Sequence, residues 1–418
     1  MTKLLLLVVP LLFVVYLPFV TQPDPPPEPM VEFRGLWVSR FDWTTFAQPA
    51  NPAKIDEIVH NAAEAGFNVL LFQVRGTADA YYDSPLEPWA VRVSGQNLGQ
   101  PPSPYWDPLA YLIQQSQARG LQVHAYLNVY PVWTGCTVLP DPAAQPQHFY
   151  YRLRDHYGQT GNKLNGMQWN AIGQQLCTPY QYATPASVFM DDHLLAVATD
   201  LVTRYDIDGL HLDHIRYAGP DTSCDPVSAA RFGAACSNQP SYANWQRAQV
   251  NGTVDKIYTA VKSLDPDLWV SAAVWPIHIE RPEWGWGQWA RQGYHDYYQD
   301  SKAWLAGGYI DAIAPMIYPA TFNCPDNSFW SQDKFATLVA DFKADSHGRF
   351  VIPGIGTGYC TFDEIEARIT ISRQAGTSGH ALFAYNGLLV NNYFEALKLG
   401  PYAETAVVPQ PLTPSTNN

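Results

Sequence analysis

The stretch LQVHAYLNVY, Leu121 to Tyr130, decides the fold, because two kinds of side chain alternate along it. Val123, Ala125, Leu127 and Val129 form one set; His124, Tyr126, Asn128 and Tyr130 form the other. Successive side chains of a strand point to opposite faces, so this strand has one apolar face and one face rich in hydrogen-bonding groups. Helical patterns flank it, so the apolar face is expected to lie under helices and the polar face to line the inside of a closed barrel. The same split appears in LLFQVR, where Gln73 and Arg75 oppose Phe72 and Val74, and in GLHLD, where His211 and Asp213 oppose Leu210 and Leu212.

Outward from this strand the chain repeats the unit. Strand-like runs begin at Phe33, Asn68, Leu121, Ile207, Leu268, Ile310, Arg349 and Gly379. Helical runs lie between them, such as PAKIDEIVHNAAEAG from Pro52, DPLAYLIQQSQARG from Asp107, a long one from Tyr242 and FDEIEARITISRQAG from Phe362. Several end in Gly, and Asp107-Pro108 reads as an N-cap followed by proline at the first helical position. Strands alternating with helices predict an α/β fold, a (β/α)8 TIM barrel with a long insertion after strand three. The rival is an open doubly wound sheet, which lacks its Gly-rich turn after the first strand.

Polar groups thicken toward the C-terminal ends of these strands, where barrel sites are built. YDIDGLHLDHIRYAGP, residues 205 to 220, packs His211, Asp213, His214 and Arg216 into one strand end. Asp213 is therefore the first catalytic candidate, with Arg75, His211 and Arg216 as groups that hold it ionised or bind substrate hydroxyls. Asn128, Tyr318 and Asn386 stand at the ends of strands three, six and eight with suitable hydrogen-bonding groups. Trp37, Trp89, Trp133, Trp169, Trp275, Trp284, Trp286 and Trp289 fall at or after strand ends, where indole faces suit stacking on sugar rings or simple loop packing. Asp208 and Asp311 begin their strands and belong to the opposite, stability face.

Composition narrows the partners. The chain has 418 residues and a formal charge of −13, with no Lys/Arg cluster to displace counterions, which excludes a nucleic-acid partner. Lys3 followed by an apolar run to Val20 and the proline-rich TQPDPPPEP predict a signal sequence or N-terminal anchor with linker over residues 1–29, the barrel over 30–402, and a disordered tail over 403–418. Any membrane contact would pass through that N-terminal segment. An even set of cysteines in a chain that reads as exported favours disulfides, and the pairing expected is Cys136–Cys177, Cys224–Cys236 and Cys324–Cys360, each closing a loop or tying adjacent loops. The segment from Pro131 to about Met190 is too long for a simple loop and is expected to wall the substrate site, with a hairpin within YYRLRDHYGQTGNKLNGMQWN.

EFRGLWVSRFDW from Glu32, GFNVLLFQVRGTADAYYDSPLEPWA from Gly66, DPLAYLIQQSQARGLQVHAYLN from Asp107, YDIDGLHLDHIRY from Tyr205 and GYIDAIAPMIYP from Gly308 together resemble the bacterial glycosyl hydrolase-like 10 family, over about Glu32 to Leu399. The resemblance implies a secreted or lipid-anchored glycoside-hydrolase barrel acting on an oligosaccharide or polysaccharide of the cell wall or cell exterior. It makes Asp213 the leading catalytic residue and carries over Arg75, Asp79 and Trp89 as cleft residues. Two departures stand out: LNVYPVW replaces an Asn-Pro-Tyr-Arg turn, and no cysteine near the N-terminus could carry a lipid.

Glycoside hydrolysis needs a second carboxyl group, one acid protonated and the other ionised. The candidates are Asp42 after strand one, Asp79 and Glu87 after strand two, and Glu280 and Glu283 after strand five. Glu280 is preferred, because a Glu among Trp and Ile in WPIHIERPEWGWGQW would be poorly solvated and so suited to a general acid. Pairing of Glu280 and Glu283 with Arg281 is the competing reading. No cofactor is called for. A metal hydrolase built on HLDH is the enzyme alternative, although His211 and His214 fall on opposite strand faces; calcium in GPDTSCDP is another possibility. A carbohydrate-binding barrel without turnover uses the same aromatics, and a second well-placed acid separates it from an enzyme.

Overall fold

The computed structural model describes residues 29–412 apart from 178, 221, 234–239, 288–289, 320–323 and 325–329. Its core is a parallel sheet whose staves are β1 (Phe33–Val38), β2 (Val69–Arg75), β3 (Gln122–Asn128), β4 (Gly209–Asp213), β5 (Trp269–Val274), β6 (Ala312–Pro315), β7 in two pieces (Phe350–Val351 and Gly354–Gly356) and β8 (Gly379–Phe383). Hydrogen bonding runs from the first piece of β7 through β6, β5, β4, β3, β2, β1 and β8 to the second piece of β7. One stave thus belongs to both edges, Pro353 separating its halves, and a parallel bridge between Met316 and Gly354 completes the ring. The expected (β/α)8 barrel is what forms.

The alternation read from Leu121–Tyr130 sets the layers. Val123, Ala125, Leu127 and Val129 join the apolar layer between sheet and helices, while Tyr126 packs inside with Phe33, Trp37, Leu71, Trp269 and Ala381. The helices that cover the outside are α1 (Pro52–Ala65), α2 (Pro108–Gln117), α3 (Val188–Arg204), α4 (Pro240–Leu264), α5 (Ser301–Gly307), α6 (Gln332–Ala344), α7 (Asp363–Gln374) and α8 (Tyr385–Asn391). Their starts follow the sequence signals. Asp107 accepts from the Leu109 amide at 3.0 Å and Asn51 from the Ala53 amide at 3.0 Å, each before a proline that needs no N–H partner. Gly66 closes α1 at φ 88°, a left-handed conformation that costs glycine nothing.

Asp208 and Asp311 sit at the N-terminal face as expected. Asp311 pairs with Lys262 at 2.8 Å, and Asp208 accepts from the Val123 amide at 2.8 Å. Residues 403–412 of the expected tail belong to the described structure. Ala406–Val407 pairs in parallel with Met30–Val31, held there by the Glu404 carbonyl, which accepts from Arg34 Nη1 at 2.8 Å. Residues 413–418 and 1–28 lie outside the described residues, and with them the leader and anchor readings. Among the described residues no helix is long and apolar enough to cross a membrane.

Between β3 and α3 the chain makes its excursion. Pro131–Thr134 pairs antiparallel with Tyr180–Tyr182, and Cys136–Cys177 bridges the two arms. The stretch expected to be a hairpin is first a helix, Phe149–Tyr157, and only then a two-residue-per-arm hairpin at Gln159–Thr160 and Lys163–Leu164. Cys324 and Cys360 join the loops after β6 and β7. The third pairing involves Cys236, outside the described residues.

Candidate active site

Parity places His211 and Asp213 inside the barrel, and their depth separates their roles. His211 lies lower and is 1% exposed. Its Nε2 accepts from Trp37 Nε1 at 3.1 Å and its Nδ1 meets Ser271 Oγ at 2.9 Å, so one neutral imidazole ties β1, β4 and β5 together. Burial pushes its pKa down to about 4. Asp213 lies one layer higher, where the barrel opens into a cavity of about 620 Å³.

The Asp213 carboxylate is held on both oxygens: Tyr126 donates to Oδ2 at 2.8 Å and the His214 amide to Oδ1 at 2.6 Å. Burial raises this carboxyl, but the charges of His214 and Arg216 and the two hydrogen bonds outweigh it and hold the pKa below the ordinary value. Burial also pushes His214 itself down to about 4, so at neutral pH the stabilisation comes from Arg216 and the hydrogen bonds. His214 has φ +50°, an uncommon left-handed turn that swings its ring back over the strand end. Tyr182 Oη lies 2.8 Å and Arg216 Nη2 3.4 Å from its Nδ1, which fixes that nitrogen as acceptor and leaves Nε2–H facing Asp213 Oδ2 at 3.9 Å.

β1 supplies the opposing wall. Ser39-Arg40-Phe41-Asp42 turns into a single helical turn, Arg40–Trp43, and all four residues line the cavity. Asp42 Oδ2 accepts from the Ser39 amide and hydroxyl at 2.6 Å each, and Oδ1 from the Asn386 amide at 3.0 Å, clamping β1 to the start of α8. Burial nevertheless pushes this carboxyl above its ordinary value. Asp42 and Asp213 thus face one cavity with their proton affinities moved apart.

Of the residues expected at the site, Asp213, Asn128, Arg216, Tyr318 and Asn386 line this cavity. Arg75, Asp79, Trp89, Trp37, His211 and Trp275 do not, and each has a traceable reason. Arg75 is fully buried behind the wall, gripping Glu87 at 2.8 Å and donating to the carbonyls of Asn128 and, at 3.0 Å, Val129. Asp79 accepts from the Thr77 amide at 2.6 Å, and Trp89 belongs to the outer apolar layer. Trp275 packs tilted against Tyr297 with centroids 4.0 Å apart, and Arg216 lies over both rings. Glu280 is not brought to the cavity: Arg281 pairs with Asp341 on α6 at 2.5 Å and carries the segment outward over the helix layer. Glu283 is exposed on the same loop.

The cavity's rings are tyrosine and phenylalanine: Phe41, Tyr126, Tyr180, Tyr318 and Phe383. The tryptophans named as stacking faces do not line it, and Trp289 lies outside the described residues. Arg40 and Tyr180 line the cavity as well, beyond the residues expected from the sequence. Arg40 follows directly on the apolar run of β1, a signal of the same kind as Asp213 on β4, whereas Tyr180 arrives from the excursion and carries no local mark. Among the described residues no three His, Cys, Asp or Glu side chains gather as a metal site, and Asp221 of the GPDTSCDP loop is outside them.

The chain is 26% identical over 314 residues to glycosyl hydrolase DigH of Escherichia coli strain K12, covering 68% of this chain and 65% of that protein. It is 26% identical over 301 residues to glycosyl hydrolase YngK of Bacillus subtilis strain 168, covering 69% of this chain and 54% of the other. The chain therefore spans between half and two-thirds of these curated relatives. In fold it is similar to the PgaB (BpsB) glycoside hydrolase domain from Bordetella bronchiseptica, with TM-score 0.58 at 14% identity, covering 88% of this chain and 98% of that one. It is also similar to alpha-L-fucosidase isoenzyme 2 from Paenibacillus thiaminolyticus, with TM-score 0.59 at 13% identity over 89% of this chain and 49% of the other. The family model for glycosyl hydrolase-like 10 matches residues 32–336, most of the barrel, and the chain belongs to that family.

Proposed function

We propose that the protein is an extracytoplasmic glycoside hydrolase that cleaves glycosidic bonds in a cell-wall or extracellular polysaccharide. Asp213 serves as the ionised carboxylate and Asp42, in place of Glu280, as the protonated partner. One observation carries this: carboxyl groups from the ends of β4 and β1 line one cavity, the first held below and the second pushed above the ordinary carboxylate pKa. Pairs of acids tuned apart in this way divide the roles of base or nucleophile and general acid. The neutral His214, with Nε2–H toward Asp213, orients that carboxylate without neutralising it. An oxidising, extracytoplasmic location is supported by the Cys136–Cys177 and Cys324–Cys360 bridges and by the apolar run after Lys3.

One feature favours a second reading. Asp42 spends both oxygens on Ser39 and Asn386, as a structural clamp would, which suits a carbohydrate-binding barrel without turnover. Reducing-sugar release from a panel of bacterial cell-wall and extracellular polysaccharides decides between them. Release by the wild type that falls by about 10²–10⁴-fold in Asp213→Asn identifies the hydrolase. Binding of a panel polysaccharide without release by either protein identifies the binding barrel.

A further inference from the structure

Two guanidinium groups, Arg40 and Arg216, line the cavity and a third, Arg92, lies beyond Phe41; among the described residues none of the three has a carboxylate within ion-pairing distance, although the chain as a whole carries a charge of −13. Arg40 is 6% exposed. Its Nη2 donates to Tyr180 Oη at 3.0 Å, and its guanidinium lies 4.4 Å over the Phe41 ring. Asp79 is near enough for its charge to be felt but gives Oδ1 to the Thr77 amide. Arg216 is 8% exposed, sits over Trp275 and Tyr297, and touches His214 rather than an acid. Its buried Nε has no partner, and the buried Asn128 Oδ1 in the same wall has none either. Arg92 continues outward: it donates to Thr44 Oγ1 and to the Thr44 carbonyl, and its guanidinium lies 5.0 Å over Phe41 and 4.3 Å over Phe46. Phe41 and Phe46 are 57% and 71% exposed.

Burying a guanidinium without a directly bonded counter-charge is costly, and although Asp213 feels the charge of Arg216, neither cavity carboxylate contacts either arginine. Asp42 is engaged with Ser39 and Asn386, and Asp213 with Tyr126 and the His214 amide. We propose that Arg40 and Arg216 receive the carboxylate of a uronic-acid-type sugar. The ladder Arg40–Phe41–Arg92–Phe46 then extends this site along the next residues of an anionic glycan leaving the cavity. The planar fork of arginine matches a carboxylate, and exposed phenyl faces between the cations supply stacking surface. The local positive rim also explains how an acidic molecule could approach a polyanion. This rests on the cavity being the glycan site and adds the class of sugar it takes.

Monosaccharides have no bond to cleave, so their binding reports on this proposal independently of turnover. Binding of D-glucuronate, its methyl ester, D-glucose and glucose 6-sulfate to the full chain is followed by ligand-observed NMR and calorimetry. Glucuronate is expected to bind at least about tenfold more tightly than the ester and glucose. That advantage should vanish in Arg216→Gln, fall in Arg40→Gln, be partly kept in Arg216→Lys, and shrink with added salt. A hyaluronan tetrasaccharide should gain affinity over glucuronate, and Arg92→Gln should remove that gain alone. Equal binding of glucuronate and glucose, absence of glucuronate binding, or stronger binding of the 6-sulfate overturns the carboxylate assignment, even if a neutral polysaccharide is hydrolysed. A tetrasaccharide no tighter than glucuronate overturns the ladder. Retained glucuronate binding without hydrolysis of any polysaccharide would instead sink the enzyme reading and leave this one standing.

Discussion

At position 214 two demands meet in one residue. Its amide donates to Asp213 Oδ1, and its imidazole, carried on a left-handed φ, presents Nε2–H toward Oδ2. Asparagine tolerates this conformation and valine does not, so His214→Val should unfold about 1–2 kcal/mol more easily than His214→Asn in urea titrations, at equal loss of the imidazole. The carboxyl pair predicts the pH profile. In the proposed roles Asp213, held low, works ionised, so activity should fall only below the ordinary carboxylate range. Asp42, pushed up, works protonated in that proposal, so activity should also fall as pH rises through its elevated pKa. In kcat/KM against pH, Asp42→Asn should retain the acidic limb and lose the alkaline one; an unchanged alkaline limb would remove Asp42 from the chemistry. Asp213 itself could be read from strand parity. Glu280 lies away from the cavity, because the Arg281–Asp341 pair, a contact between distant segments that neighbours in sequence do not reveal, directs that loop.

Among the elements, the end of β2 shows how a buried charge can serve a site it never touches. Arg75 gathers the carbonyls of Asn128 and Val129 while Glu87 neutralises it, with His193 Nε2 donating to Glu87 Oε1 at 2.8 Å. The strand end that carries Asn128, and through the Val129 amide the Asp213 carbonyl, is thereby fixed. Removing one partner leaves an uncompensated buried charge, so Glu87→Gln should cost about 3–5 kcal/mol, visible as a lowered urea midpoint with unchanged m. The excursion after β3 depends on its bridge. Cys136 and Cys177 are 41 residues apart, and closing such a loop is worth about 4 kcal/mol in the chain-entropy model. Cys136→Ser should raise KM more than it lowers kcat, because Tyr180, which braces Arg40, is carried on that arm. Periodicity marked the staves and most helices, since each depends on its own residues. Tyr180 could not be read, because its place follows from pairing across the excursion.

For the molecule as a whole, several imidazoles are buried without charge. Burial pushes His124 down to about 3 and His148, His211 and His380 to about 4. In the unfolded chain they titrate near 6.5, so unfolding takes up protons between those values. Their contribution to stability is complete above pH 6.5 and is lost as pH falls toward 4. His380, at the N-terminal end of β8 and bonded to Tyr402 at 2.7 Å, allows an isolated test. His380→Gln should flatten the dependence of Tm on pH between 6.5 and 5, and an unchanged slope would show that this imidazole is charged when folded. The barrel followed from its eight repeated units, but the way it closes did not, because Pro353 interrupts a stave that reads as continuous in sequence. Seven staves are whole and the eighth is spliced, its halves bonded to different neighbours. The wall therefore behaves as a belt whose buckle is β7. Amide exchange should start there, in the short pairings of Val351 and Ile355, before it reaches β2 or β3. Tyr318 and Phe383, stacked 4.9 Å apart on either side of that buckle and facing the cavity, are the side chains through which a loosening of the seam would be felt in the cavity.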